Sequence, residues 1–550
     1  MVKSKTQVIS DGFLKNKKMN IFKITVFAIF LLNAFALSAQ EHSLKIIPEP
    51  LQVQVNNGSF TLKKENVIYL DTNFLEAQPE VKQLQQLIVN KAKIDLPIVN
   101  RDSNKKVGIH VFRDPKIKNK EGYVLDIDAR GIHLSAAHRT GLFYGIQTLA
   151  QIFPVPIENI PLEKLPFLSI TDSPRFPYRS LMLDPARHFL PIEDIKKYID
   201  VMAAYKYNHL HLHLTDDQGW RIEIKEYPLL TEIGSKRKET DGDGQPHSGF
   251  YTQEELEDLV AYARTKHVEI IPEIDMPGHG LSILAAYPNL ACFPRKFEVS
   301  TVPGVSKELL CAGKKEVYEF YEHIISEVAS IFPNTKMHIG GDEAPLDQWE
   351  KCPNCQKTMQ ENSLEKEEEL MAYFFDRINN ILINYDKEPL LWYESNVENY
   401  PKNSTVILWR YEEPDVKLRE IQSRGLKMIN SYGGNVYFDY PQWEGDIPKT
   451  NWMNIISLEK TYAFDPVRGL PEEENNFIIG VEGCVWGEYV PNIDRAFYMT
   501  YPRALALAEA GWSTDKNRSW ENFQKKLDKH FIRFINEGIN FRPPNELSKK

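Results

Sequence analysis

Between Met337 and Trp349 a short apolar run, Met337 and Ile339, stops at Gly340 and Gly341, and two carboxylic acids, Asp342 and Glu343, follow with no spacer. Paired glycines let a backbone turn sharply and approach a ligand closely, which predicts that the acids sit at the tip of a strand. Acids in such a place suit general acid/base chemistry, in which a positioned carboxyl gives or takes a proton at a reacting atom. Neighbours on an extended chain face opposite sides, so this pair is not expected to clamp one bond from both flanks. One acid must meet the leaving group while the other does a different job. An isolated Asp-Glu dipeptide is ordinarily a solvated turn, because acidic residues are mostly exposed. Here His338, the glycines and Trp349 bracket it.

Acids at strand tips need a scaffold that delivers many strand ends to one face. From Arg179 the chain reads strand then helix, repeatedly: strand signals fall at 180–183, 209–214, 269–274, 336–339, 389–392, 405–408, 427–430 and 477–481, and helical stretches at 192–205, 253–267, 316–331 and 364–385. Eight such strands alternating with helices predict an α/β fold, a (β/α)8 TIM-like barrel over 170–520 with its site at the strand ends. The gap at 394–404 is too short for a crossover helix and holds Pro401, so an irregular loop is expected there. Residues 45–165 predict a small α+β domain, with a hairpin of 123–128 and 132–136 around 129–131 and helices at 80–93 and 138–153. The proline-rich 154–177 reads as the link between the domains. A C-terminal helical extension, 521–550, is expected to pack on the barrel.

The residues just after each strand signal are polar or aromatic: Asp184 and Arg187; Asp216, Asp217 and Trp220; Asp275 and His279; Asp342 and Glu343; Trp392 and Glu394; Trp409 and Arg410; Tyr437 and Asp439; Trp486 and Glu488. The run from Met337 to Trp349 resembles the signature of glycoside hydrolase family 20, the β-N-acetylhexosaminidases, and the resemblance extends from Arg187 to Trp512 and more loosely to the domain before. It implies a retaining mechanism in which the substrate's own 2-acetamido oxygen attacks the anomeric carbon to give an oxazolinium ion; this family is one of the recognised exceptions to the two-carboxylate scheme. By the same resemblance Glu343 is general acid then base, and Asp342 orients the acetamido N–H. Asp216 and His279 form a polar relay toward Glu343 that raises its pKa, and Arg187 holds ring hydroxyls. Tyr437 meets the acetamido oxygen; Trp392, Trp409 and Trp486 wall the acetamide and the sugar, whose C–H faces suit flat aromatic rings; Asp439 and Glu488 bind outer hydroxyls. Trp452 matches less well. No cofactor is implied, and the partner is a glycan or chito-oligosaccharide substrate.

His209, His211 and His213 alternate on one strand face, a pattern that also occurs in metal-dependent barrel hydrolases. They precede the strand end, so hydrogen-bonded histidines packed in the barrel are expected, and no metal. A sugar-binding protein on a dead barrel is disfavoured by the presence of both acids. A relative that shares the mechanism but releases a disaccharide differs only in pocket depth, which loops set.

The remaining composition bounds the class. At 550 residues, 42% hydrophobic and 26% charged, the chain supports two or more full cores. A net charge of -10 without a basic cluster argues against nucleic acid. Residues 1–39, with a basic start, an apolar core and small residues before Gln40, read as a signal peptide, with Met19 as an alternative start. An exported protein, periplasmic or extracellular, with no membrane span once processed, is expected. Cys352 and Cys355 have zinc-knuckle spacing without an evident second pair. Local bridges, Cys292 with Cys311 and Cys352 with Cys355, or free thiols are therefore expected rather than metal.

Overall fold

The computed structural model describes residues 44–100, 106–155, 161–397, 399–410, 412–448, 450 and 452–543. The signal-peptide reading of 1–39 lies outside them. Among the described residues no helix is long and apolar enough to cross a membrane.

Seven strands come first: β1 (Gln52–Thr61), β2 (Val67–Leu70), β3 (Ile98–Val99), β4 (Val107–Arg113), β5 (Tyr123–Asp128), β6 (Gly131–Ala136) and β7 (Lys164–Asp172). They form one mixed sheet ordered β1-β7-β5-β6-β4-β2-β3. Helices α1 (Gln78–Ala92) and α2 (Arg139–Ile152) cover it through Val81, Leu84 and Ile88 and through Leu142, Ile146 and Leu149, apolar residues at helical spacing. The hairpin is as expected, with Asp128 opposite Gly131. The link is not: nine residues of the proline-rich stretch form β7, the strand between edge strand β1 and β5. Pro166, which has no N–H to give a ladder, lies opposite Ser59, where the β1–β7 register shifts.

The eight strand signals then become one closed parallel barrel in chain order: β8 (Tyr178–Leu183), β9 (His209–His213), β10 (Glu269–Glu273), β11 (Lys336–His338), β12 (Glu388–Trp392), β13 (Thr405–Leu408), β14 (Lys427–Asn430) and β15 (Ile478–Val485). Crossovers run through α3 (Ile192–Ala204), α4 (Gln253–Thr265), α5 (Lys315–Ile331) and α6 (Glu367–Asn384); between β12 and β13 the described residues hold no helix; α7 (Pro414–Ser423) leads to β14. Local sequence sets these helices. Thr252 and Glu255 close a capping box at the start of α4, and α5 buries Val317, Phe320, Tyr321, Ile324 and Val328 as one stripe. After the barrel, α8 (Arg503–Trp512) and α9 (Trp520–Glu537) follow. Helix α9 touches both domains, through Tyr205 and His530 (2.9 Å) and through Lys45 and Asp528.

The first domain is fastened to the end of the barrel opposite the strand tips. Lys206, just before β9, is fully buried and holds Asp172 of β7 at 2.8 Å and the Tyr123 hydroxyl at 2.9 Å. The Trp512 indole donates to the same Asp172 at 2.9 Å. Arg179 of β8 makes a two-pronged pair with Glu121.

All five cysteines are free. Of the two expected outcomes, local bridges or free thiols, the thiols are free: the loop after β10 and the helix after β11 converge, and Cys292, Cys311, Cys352 and Cys355 gather in one buried cluster.

Candidate active site

The barrel's interior is polar below its mouth. Glu273, at the end of β10 and fully buried, lies 3.1 Å from His211 Nε2 and 2.8 Å from His338 Nδ1, contacts His213 Nδ1, and accepts from the Trp392 indole at 2.8 Å. His211 also meets Glu482 at 3.2 Å. His209 is engaged by Asn208 at 2.7 Å and stacks on Tyr178. The three alternating histidines are thus packed and hydrogen-bonded within the barrel. Their partners Glu273 and Glu482 come from other strands, so nothing in the local sequence marks them.

His213 passes the network upward, its Nε2 lying 2.7 Å from Asp216. Asp216 in turn takes Arg187 Nη2 at 2.9 Å and His279 Nδ1 at 3.1 Å. Burial opposes ionisation of Asp216, but the Arg187 guanidinium and His279 outweigh it and hold the carboxyl far below its usual range. His279 is the reciprocal case: burial disfavours its charge, yet Asp216 and Asp275 push its pKa well up. Arg187 donates Nε to Gln218 and Nη1 to Asp184, both at 3.0 Å, and Glu488 lies 3.9 Å away. With five N–H groups in a rigid fork, it keeps little beyond one Nη2 hydrogen for a ligand.

The two acids follow from backbone geometry. Gly340 and Gly341 both have positive φ, 65° and 97°, and a Cβ on Gly340 would lie 1.6 Å from Asp275 Oδ1. The Gly341 amide donates to that same oxygen at 3.2 Å. Glu343 adopts the left-handed conformation, φ 50°, uncommon for a side-chain-bearing residue and typical of functional sites. The chain here is therefore not extended, and the expectation that the two acids face opposite sides is corrected: Asp342 Oδ2 and Glu343 Oε2 each lie 3.9 Å from His279 Nε2. His279 is thus equally near both acids. Their exposures differ, 9% for the Asp342 side chain and 39% for Glu343. Burial pushes Asp342 from 3.8 up to about 7, His279 opposing and Glu343 adding to the rise.

One pocket at this mouth is lined by Arg187, His279, Asp342, Glu343, Trp409, Tyr437, Asp439, Trp486 and Glu488, together with Tyr440 and Trp452. Of the residues given a role by the family resemblance, Asp216 and Trp392 are not on its wall, and neither are the strand-end residues Asp184, Asp217, Trp220, Asp275, Glu394 and Arg410. Asp216 lies behind His279, its Oδ1 3.1 Å from His279 Nδ1. Trp392, expected as a wall of the acetamide, is 1% exposed and lies beneath Trp486, ring centroids 5.6 Å apart, with its indole on Glu273. As the last residue of β12 its side chain points into the barrel, and sequence alone places it one layer too high. Sequence reasoning misses Tyr440; only its position after Tyr437 and Asp439 hints at it. Asp275, which holds Gly341, is a strand-end residue whose role the sequence does not reveal. Glu394 pairs with Arg410 through two bonds of 2.9 Å beside Glu343.

An exposed acid, a buried acid and a histidine converging on an aromatic-walled pocket suit proton transfer at one atom and stabilisation of positive charge at another. Comparison with known proteins agrees. The sequence model described as glycosyl hydrolase family 20, catalytic domain, matches residues 176–515, and the one for domain 2 of that family matches 43–173. A β-hexosaminidase of Akkermansia muciniphila is 43% identical over 422 residues, 76% of this chain and 85% of the relative. A crystal structure of a β-N-acetylhexosaminidase superposes with TM-score 0.79 at 38% identity, covering 90% of this chain and 96% of the other. The exo β-N-acetylglucosaminidase of Vibrio harveyi, solved with N-acetylglucosamine, superposes with TM-score 0.81 at 29% identity, covering 92% and 79%. With the catalytic-domain match spanning the whole barrel and its mouth, the chain belongs to glycoside hydrolase family 20.

Proposed function

We propose that the chain is an exo-acting β-N-acetylhexosaminidase that removes terminal N-acetylglucosamine or N-acetylgalactosamine from the non-reducing end of a glycan with retention of configuration. The observation that carries this reading is a set of buried polar atoms on one pocket wall, Asp342 Oδ1, the Tyr437 hydroxyl, Asp439 Oδ1 and the Trp409 indole N–H, none with a hydrogen-bond partner among the described residues. Buried polar groups are nearly always paired, so these atoms mark what a ligand must satisfy. An acceptor and a hydroxyl beside the acid pair suit the N–H and C=O of an acetamide, and Asp439 suits a sugar hydroxyl.

In the first step the acetamido oxygen forms a bond to the anomeric carbon while the bond to the leaving oxygen breaks and Glu343 gives that oxygen its proton. Asp342, as carboxylate, accepts from the acetamido N–H and offsets the positive charge spreading over the oxazolinium. In the second step Glu343 takes a proton from water as the water oxygen attacks the same carbon, which reopens the ring. Two inversions leave the β configuration. Arg187, Asp439 and Glu488 hold hydroxyls, Tyr437 the acetamido oxygen, and Trp409 and Trp486 the ring faces. Export through the 1–39 segment belongs to this reading and rests on the composition of that segment.

Because the acetamide is the nucleophile, an aryl N-acetyl-β-glucosaminide should be hydrolysed while the plain β-glucoside is left essentially intact. Comparable turnover of the two would overturn the substrate-assisted step.

A further inference from the structure

Four thiols from three separate stretches meet beside the active-site loops. Cys292 and Cys311 lie in the long loop after β10, where an antiparallel bridge between Ala291 and Leu310 sets them side by side. Cys352 and Cys355 come after β11, Cys352 preceding and Cys355 within the first turn of the helix Pro353–Glu361. Cys311 Sγ is 3.5 Å from Cys352 Sγ and 3.6 Å from Cys355 Sγ, and Cys292 Sγ is 3.8 Å from Cys355 Sγ. All four sulfurs lie within 4.8 Å of one another, and all four residues are buried.

These contacts run on from sulfur to sulfur, Cys352 to Cys311 to Cys355 to Cys292, and are not two isolated pairs. Cys311 and Cys355 each have two near neighbours at almost equal distance, and all four residues are free. The spacing is that of a metal-thiolate tetrahedron: four sulfurs at ~2.3 Å from a central zinc ion are separated by ~3.8 Å along each edge. The backbone is built to bring the two halves together. A Cβ on Gly313 would lie 2.2 Å from the Asn354 carbonyl carbon, so only glycine permits the approach. The donors are all soft sulfur, which excludes calcium and magnesium and suits zinc.

We propose that Cys292, Cys311, Cys352 and Cys355 bind one zinc ion in a closed tetrathiolate site that fastens the loop after β10 to the loop after β11. Binding releases the four thiol protons to solvent and leaves a site of net charge -2; Lys314, whose Nζ holds the Asn289 and Ala291 carbonyls at 2.7 Å, sets a cation alongside. With four protein ligands the ion keeps no open position, so it takes no part in chemistry. It holds in register the two loops that carry Asp275 and His279 on one side and Asp342 and Glu343 on the other. Trp349 already joins them through its indole on the Leu310 carbonyl, 2.9 Å.

The test is metal analysis of the full chain purified without chelator, paired with intact-mass counting of thiols alkylated after denaturation without reductant. One zinc per chain and five alkylated cysteines, Cys484 included, are expected. Cobalt substitution should give the visible absorption of a tetrahedral tetrathiolate, and Cys352→Ser with Cys355→Ser should lose the metal and lower the melting temperature. Zinc-free protein with a single alkylatable thiol would show two disulfides and overturn the proposal. So would five free thiols that take up neither zinc nor cobalt. These readouts on the unaltered chain stand even if the double variant does not fold, and they are independent of glycosidase activity.

Discussion

Asp342 and Glu343 share a backbone junction and one histidine, yet the reaction asks different things of them, and that difference is measurable. Glu343 as acid matters most when the leaving group is poor. Glu343→Gln should fail badly on a natural glycoside and be partly spared on an aryl substrate whose leaving group departs without a proton. Asp342→Asn should lose about equally on both, each factor of ten in kcat/KM being about 1.4 kcal/mol of transition-state stabilisation. Measuring both variants across leaving groups of graded acidity separates the roles, and the opposite pattern would swap them. The pH dependence follows from Asp342 as well. With its carboxyl pushed up to about 7 by burial, and with the anion as the working form, kcat/KM should fall as the pH drops below that value. The cationic His279 draws this pKa down, so its loss leaves the carboxyl harder to ionise. In His279→Asn the acid limb should therefore move to higher pH, and a limb that stays in place would show that the histidine's charge is not acting.

At the scale of elements, the turn after β11 is the tightest constraint in the site. Gly340→Ala would put a methyl carbon inside the Asp275 carboxylate, in a left-handed conformation that alone costs about 1–2 kcal/mol for a residue with a Cβ. Loss of activity by at least about a hundredfold is expected, roughly 2.7 kcal/mol in kcat/KM, with a lower melting temperature; near-normal kinetics would mean that the turn adapts. The two glycines are legible in the sequence because their demand is local. So are all eight barrel strands, since strands buried on both faces read as short apolar runs. What escapes a sequence reading depends on partners far away along the chain. Strand β7 hides in a proline-rich stretch because its pairing with β1 and β5 is what makes it a strand. The single thiol cluster looks like two local pairs because spacing shows only the Cys352–Cys355 half and not the convergence of two loops. Trp392 lands on the pocket wall in a sequence reading because strand register gives a direction but not a depth.

At the scale of the molecule, the first domain closes the barrel end away from the pocket, and its hold centres on a buried ion pair. Removing one partner of such a pair strands the other charge, typically at a cost of about 3–5 kcal/mol. Lys206→Met should lower stability to chemical denaturant by about that much, and adding Asp172→Asn should restore part of the loss. Turnover per folded molecule should hold, since both residues lie at the far end from the acids; a large drop in kcat would mean that the two ends communicate. The layer of Glu273, His211, His213 and His338 fills the barrel just under the pocket, so among the described residues the mouth is the doorway for ligands. The departing alcohol and the arriving nucleophile must use it in turn, from the same side of the ring. Any hydroxyl compound abundant at that threshold should therefore compete with water for the cyclic intermediate, partitioning the enzyme between hydrolysis and the building of a new β-linked glycoside.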